Sequence, residues 1–246
     1  MKKHNYIIGT GYHSRHGALG DAQAWFYHLW LENTLRYTEP LAIYVVGSGD
    51  GKRPDWTGWP VLPIYWLPIL GDLGYCGDIL SGRKPYHFAG AMMTWCTLAM
   101  IAYMNEADFL YKEQDVLAFG PYVEEMYSAL GDKGWVFGNC RLMGATSSFS
   151  LVRHKHIPEV VRLYLGTPAE NDPNQMPEAK FSRLQQAHPD LLCRYSFGVD
   201  RDRPFDVKAP VWYAQKFTRE ELLQLREAGL IEFDECPIVP GTFSNA

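Results

Sequence analysis

Apolar and polar positions fall into blocks along this chain, and the period changes from block to block. Tyr6 to Tyr12 is an apolar run carrying Gly9-Thr10-Gly11 at its end, which predicts a strand and then a glycine turn. From Ala22 to Tyr37 the residues Trp25, Phe26, Leu29, Trp30, Asn33 and Leu35 recur near helical spacing. Leu41-Ala42-Ile43-Tyr44-Val45-Val46 does not alternate and is rich in β-branched residues, as a strand buried on both faces would be, and Gly47-Ser48-Gly49-Asp50-Gly51 closes it. Strand, helix, strand in that order predicts a parallel sheet.

Pro54, Pro60, Pro63 and Pro68 then interleave with Trp56, Trp59 and Trp66, leaving room for a short strand at Val61 to Leu67. Gly71 to Gly82 is a glycine-punctuated loop, and Tyr86 to Met104 is apolar on nearly every side, predicting a helix buried on most of its surface. Asp108-Phe109-Leu110-Tyr111-Lys112-Glu113-Gln114-Asp115 reads as a strand that turns acidic at its carboxyl end, with Gly120-Pro121 and a helix to Leu130 behind it. Further strands are predicted at 135–137 and 148–152, a helix at 157–165 and another at 179–186. In the tail, Thr218 as N-cap, Glu221 as its capping-box partner and Gly229 as the stop mark a last helix.

Composition narrows the function. The chain has 246 residues, 47% of them hydrophobic and 21% charged, which is globular composition. With 23 basic and 28 acidic residues the net charge is −5, and no basic block offers a nucleic acid its electrostatic footprint. No run reaches the roughly 20 apolar residues of a membrane span. Five cysteines in no C-x-x-C pair fit a reducing compartment, and the expected location is the cytoplasm.

Alternating strands and helices place ligands outside the carboxyl ends of the strands. Three such ends are polar: Tyr12-His13-Ser14-Arg15, Ser48-Gly49-Asp50 and Glu113-Gln114-Asp115. If strand geometry persists, Glu113 and Asp115 point to one face and Gln114 to the other, and two converging carboxylates suit a hard cation such as Mg²⁺ or Mn²⁺. The same acid-x-acid spacing recurs at Glu170/Asp172, Asp200/Asp202 and Glu232/Asp234. Only the pair at 113 and 115 ends an apolar strand preceded by a buried helix.

That order of elements, with Asp108 to Leu117 at its centre, resembles the nucleotide-sugar-dependent glycosyltransferases of the GT-A fold, whose D-x-D signature sits at this place. Ala145 to Arg153 resembles the acceptor-side strand of that fold and Met176-Pro177-Glu178 its acidic motif, so the likeness spans about residues 5 to 185, with Glu113 standing where Asp is usual. The resemblance implies an α/β fold with a mixed, mainly parallel central sheet flanked by helices. A nucleotide-sugar and catalytic domain would cover 1–200, and a C-terminal helical extension at 201–246 would pack on it.

It also implies a metal-assisted hexosyltransferase that takes a UDP or GDP sugar to a hydroxyl of a glycan or glycoconjugate. Tyr12, His13, Arg15 and Asp50 would flank the nucleotide, Asp115 would hold Mn²⁺ or Mg²⁺, and Glu113 would reach the ribose or the metal. Arg83 and Lys84 would offset diphosphate charge, and Glu178 would be the general base of an inverting mechanism.

Plainer readings stand beside each of these. Tyr12 also suits a core, Asp50 an Asx turn, Arg83-Lys84 a solvated loop, and Glu178 a helix start favoured by the dipole. His13, His16, His154 and His156 lack a specific metal spacing. Trp56, Trp59 and Trp66 would form a sugar platform or pack inside, and Trp212 and Tyr213 would cover the site from the tail. A sugar nucleotidyltransferase or a carbohydrate-binding protein without catalysis is the alternative. The dinucleotide fingerprint is incomplete, because Ser14 stands where its third glycine belongs.

Overall fold

The computed structural model describes residues 4–49, 51–56, 63–68, 88–139, 145–166, 177–198 and 206–237. Its elements are β1 (Tyr6–His13), α1 (Gly17–Tyr37), β2 (Ala42–Ser48), β3 (Ile64–Pro68), α2 (Phe88–Met104), β4 (Asp108–Lys112), β5 (Val116–Phe119) and α3 (Tyr122–Leu130). They continue as β6 (Trp135–Gly138), β7 (Thr146–Val152), a 3-10 turn (His154–His156) running into α4 (Ile157–Gly166), α5 (Pro177–Ala187), β8 (Leu192–Arg194), β9 (Trp212–Gln215) and α6 (Arg219–Glu227).

Seven strands form one sheet in the order β3-β2-β1-β4-β7-β6-β8, and β5 pairs with β9 in a separate ladder. β3, β2, β1 and β4 run parallel, β7 is antiparallel to both β4 and β6, and β8 returns parallel to β6. The sheet is therefore mixed and mostly parallel, as expected. Its faces carry separate cores. Ile8, Ile43, Leu110 and Leu151 pack with Tyr27 and Trp30 of α1 on one side, and Ile7, Phe109 and Val152 pack with Trp95 and Leu98 of α2 and Val160 of α4 on the other.

The glycines of β1 are read differently by the structure than by the sequence. Gly9 and Gly11 lie inside the strand, opposite Tyr44 and Val46. A Cβ on Gly9 would sit 2.7 Å from the Phe109 ring and 3.0 Å from Leu98 Cβ, and one on Gly11 3.1 Å from Thr94. They are small because α2 crosses close above them. The turn itself comes later, at Ser14 to His16, and α1 starts at Gly17 rather than Ala22. Gly17 and Gly20 disguise that first turn as a loop, yet a Cβ on Gly20 would strike the Arg15 carbonyl oxygen at 2.1 Å. Close packing again requires the glycine.

The tail is part of the larger core. Trp212 stacks on Phe119 with centroids 4.2 Å apart, and Tyr213, Phe217, Leu222 and Leu225 are all buried in the α1-side cluster. The capping box predicted for α6 is present in full: Thr218 Oγ1 accepts from Glu221 N–H while the Glu221 carboxylate accepts from Thr218 N–H. No helix among the described residues is long and apolar enough to cross a membrane.

Candidate active site at the mouth of the parallel strands

From β1 the chain builds outward through β2 to β3, then returns to place β4 on the other flank of β1. The crevice beyond the carboxyl ends of β1 and β4 is the point of reversal, where open α/β sheets take their ligands. Backbone bonds draw its rim together: Ser14 N–H donates to Ser48 O at 2.7 Å, and Lys52 N–H donates to Arg15 O at 2.5 Å. His13 Nδ1 lies 3.0 Å from Ser48 Oγ. Gly49, at φ 77°, lies against the Ser14 carbonyl, and Gly51 leaves no room for a Cβ against Arg15. The glycine-rich end of β2 thus clasps the end of β1. Asp50 itself lies outside the described residues.

β4 gives way after Lys112 to a tight turn. Glu113 N–H donates to Ser148 O at 2.7 Å, and Val116 N–H donates back to Glu113 O at 3.0 Å. The strand alternation expected for Glu113, Gln114 and Asp115 therefore does not hold. Gln114 and Asp115 together line a shallow depression with Arg15, Leu19, Gln23, Phe26 and Tyr27. All three residues of the turn are half-buried, and Glu113 and Asp115 still share an electrostatic neighbour. Burial pushes the Tyr111 phenol well above its ordinary pKa, and both carboxylates push it the same way.

Two side chains that the sequence did not single out support this turn. Gln23, on the second turn of α1 and 8% exposed, donates from Nε2 to Gln114 Oε1 at 3.3 Å. It fixes the middle residue of the acidic triplet; its only sequence signal was a polar residue on the buried face of a helix. Lys112 is wholly buried beneath the turn and donates from Nζ to Asn33 Oδ1 and Thr34 Oγ1, each at 2.8 Å. Burial holds its pKa well below that of an ordinary lysine.

The structure separates the other expected site residues. Tyr12 is 2% exposed, its ring set edge-on against Tyr27 and Trp66 and its hydroxyl donating to Lys52 O at 3.0 Å. The ring belongs to the core, where no base reaches it to stack. Trp56 and Trp66 are half-buried and pack against that cluster, whereas Trp212 and Tyr213 are core residues of β9 and offer no sugar platform. His13 and Arg15 do reach the rim, Arg15 beside Asp115. His154 and His156 sit beyond the amino end of β4: His154 N–H donates to Asp108 Oδ1 at 2.6 Å, far along the strand from the acidic turn. Glu178 falls in the first turn of α5, a helix that packs on β7. Arg83, Lys84, Trp59 and the loop from Gly71 to Gly82 lie outside the described residues.

With its mostly parallel sheet and flanking helices, the chain has the GT-A fold found in glycosyltransferases. Among solved structures it is similar to mouse xyloside xylosyltransferase 1 in its apo form, at 8% identity and TM-score 0.52, covering 85% of this chain and 97% of that one. It is likewise similar to the galactosyltransferase LgtC in complex with donor and acceptor sugar analogues, at 13% identity and TM-score 0.52, covering 93% of this chain and 97% of that one. Identities this low establish the shared fold. No protein-family model matches the chain, and no curated protein does.

Proposed function

We propose that the chain is a metal-assisted glycosyltransferase that moves a sugar from a nucleoside diphosphate sugar, carried by UDP or GDP, to a hydroxyl of a glycan or glycoconjugate. One observation carries this reading: the half-buried turn Glu113-Gln114-Asp115 sits at the carboxyl end of β4, beside β1, where the strand order reverses. The neighbours of like fold support it, since LgtC takes donor and acceptor sugar analogues.

Two carboxylates fit Mn²⁺ or Mg²⁺, which need only one or two protein oxygens when phosphates and water complete the shell. Among the described residues no group of three or more His, Cys, Asp or Glu is arranged to hold a metal ion. Asp115 and Glu113 would hold the ion, which would neutralise charge developing on the leaving diphosphate. Arg15 adds a cation on the same rim. Gln23 holds Gln114, and through it the turn, in one geometry, which is the preorganisation that electrostatic stabilisation requires. His13, tied to Ser48, is a candidate nucleotide contact, with Asp50, Arg83 and Lys84 as further donor-binding candidates. Glu178 is the candidate base that takes the acceptor's proton as its oxygen attacks the anomeric carbon.

The test is thermal stabilisation by UDP and GDP sugars with and without Mn²⁺, followed by product analysis. A donor that binds the folded state raises the Tm. Asp115→Ala should fold, lose the metal-dependent shift and lose turnover by two orders of magnitude or more, in the manner of a missing electrostatic stabiliser. Release of pyrophosphate from a nucleoside triphosphate and a sugar 1-phosphate, with no nucleoside diphosphate released from the sugar nucleotides, would identify a nucleotidyltransferase. Undiminished donor binding by Asp115→Ala would remove the acidic turn from the site.

A further inference from the structure

The carboxyl half of α1 walls a second groove. α6 ends in a glycine turn: Gly229 has φ 68° and Leu230 N–H donates back to Leu225 O at 3.0 Å, a common way to close a helix. Residues 230–234 then lie beside α1, tied to it where Arg36 Nη1 donates to Leu230 O at 3.1 Å. Between the two segments is a groove of about 460 Å³, large enough for a small molecule. Leu29, at its near end, is already about 9 Å beyond Gln23 along the helix axis, so the groove leads away from the acidic turn.

Three carboxylates line it, Glu32, Glu232 and Asp234, and none of them forms an ion pair among the described residues. Arg36, on the same wall, directs its terminal nitrogens to Leu230 O and Gly229 O instead. Partial burial raises the pKa of Glu32, and the charge on Glu232 raises it further. Asn33 also lines the groove and is 3% exposed. Its Oδ1 accepts from Lys112 Nζ and Ala118 N–H, both in the core, which leaves the amide nitrogen to the groove. That Nδ2 meets no acceptor among the described residues, and a buried donor left open is costly.

These features select a ligand. A bare metal ion answers only the carboxylates, and a neutral sugar leaves their excess negative charge unmet. An organic ammonium that carries hydroxyl groups meets both demands, its charge balancing the acids and an oxygen accepting from Asn33. Ile231 and Phe233 give its hydrocarbon face a wall. The Phe233 ring is held in place by the edge contact with Trp25 at 5.4 Å and by the Arg226 guanidinium at 5.0 Å.

We propose that the groove between α1 and residues 230–234 binds a hydroxylated organic ammonium of the amino-sugar class, with its ammonium at Glu32 and Glu232 and a hydroxyl oxygen at Asn33 Nδ2. The assignment does not rest on the glycosyltransferase reading. The experiment follows backbone amide shifts of the full chain by NMR during titration with glucosamine, glucose and cyclohexylamine, at a pH that keeps both amines protonated. Glucosamine should bind saturably and shift residues 29–36 and 230–234. Glucose, which lacks the charge, and cyclohexylamine, which lacks the hydroxyls, should bind at least about fivefold more weakly. Glu32→Gln and Glu232→Gln should each weaken glucosamine about two- to fivefold, as exposed ion pairs do, and the double variant about tenfold, without lowering Tm. Absence of saturable binding, shifts centred on 113–115, wild-type affinity in the double variant, or equal affinity for all three probes would each overturn the assignment. The test of Asp115 with sugar nucleotides stands apart from every one of these outcomes.

Discussion

Lys112 is an amine buried among neutral groups. Its nitrogen meets an amide oxygen and a hydroxyl and lies over the rings of Trp30 and Tyr122 at 5.3 and 5.8 Å. The protonated form gains little there against the water it leaves. Between its lowered folded-state pKa and the unfolded value of about 10.4, the unfolded chain binds more protons than the native one. Stability therefore rises with pH across that window and is reduced below it. Both partners stay satisfied without the lysine, because Asn33 Oδ1 also accepts from Ala118 N–H and the Thr34 hydroxyl donates to Trp30 O. We predict that Lys112→Met folds with stability equal to or above that of the wild type at about pH 7, replacement of a buried charge by an apolar chain of similar length being neutral or favourable. Urea midpoints from about pH 7 to 9.5 should show the wild type gaining on the variant as pH rises. The range stops short of the tyrosines, whose burial acts in the opposite direction; Tyr6, for one, is pushed up to about 12. Parallel profiles for the two proteins would refute the titration of Lys112.

At the scale of elements, glycines record how closely one strand or helix approaches another. A Cβ on Gly47 would lie 1.9 Å from Trp66 Cζ2, and Trp66 is itself hemmed in by Tyr12, Trp56 and the Arg53 guanidinium. Gly47→Ala must displace that indole and strain the pairing of β2 with β3. The expected cost is about 1–3 kcal/mol, as for other overpacked cores, read as a lower urea midpoint at unchanged slope and a shifted tryptophan emission. A midpoint equal to that of the wild type would show that the indole moves freely. The same glycines mark where the sequence was legible and where it was not. Hydrophobic runs located β1, β2, β4 and α2 to within a few residues, because each buries an apolar stretch that no loop would carry, and the capping box located α6. Gly9-Thr10-Gly11 was read as a turn, since a glycine that admits a crossing helix and one that bends the chain look alike from sequence. β5 and β9 went unread for another reason. Each is four residues long, and each is a strand only because the other lies beside it. The acidic turn was visible as the polar end of an apolar strand, whereas Gln23 reaches it through packing that no local pattern encodes.

For the molecule as a whole, the segment after residue 205 decides whether the sheet folds alone. Trp212 stacks on Phe119, Tyr213 packs on Phe149 at 5.1 Å, and Phe217 packs on Phe26 at 6.4 Å. Leu222 and Leu225 add two more buried side chains. At about 1.5–3 kcal/mol for each large apolar side chain removed from water, these contacts together are worth on the order of 10 kcal/mol, comparable to the whole stability of an ordinary domain. Removing the segment would also strip the partner of β5, leaving an apolar strand with unpaired backbone groups, a template for aggregation. We therefore predict that the full chain unfolds in one cooperative transition, with tryptophan fluorescence and far-ultraviolet dichroism coincident, and that a chain ending at residue 205 does not reach a native, monomeric state. A truncated chain that stays soluble with the dichroism and cooperativity of the full protein would show the tail to be an accessory. Coincidence would mean instead that the β5–β9 ladder forms together with the core, so that the tail is part of one cooperative unit with the sheet.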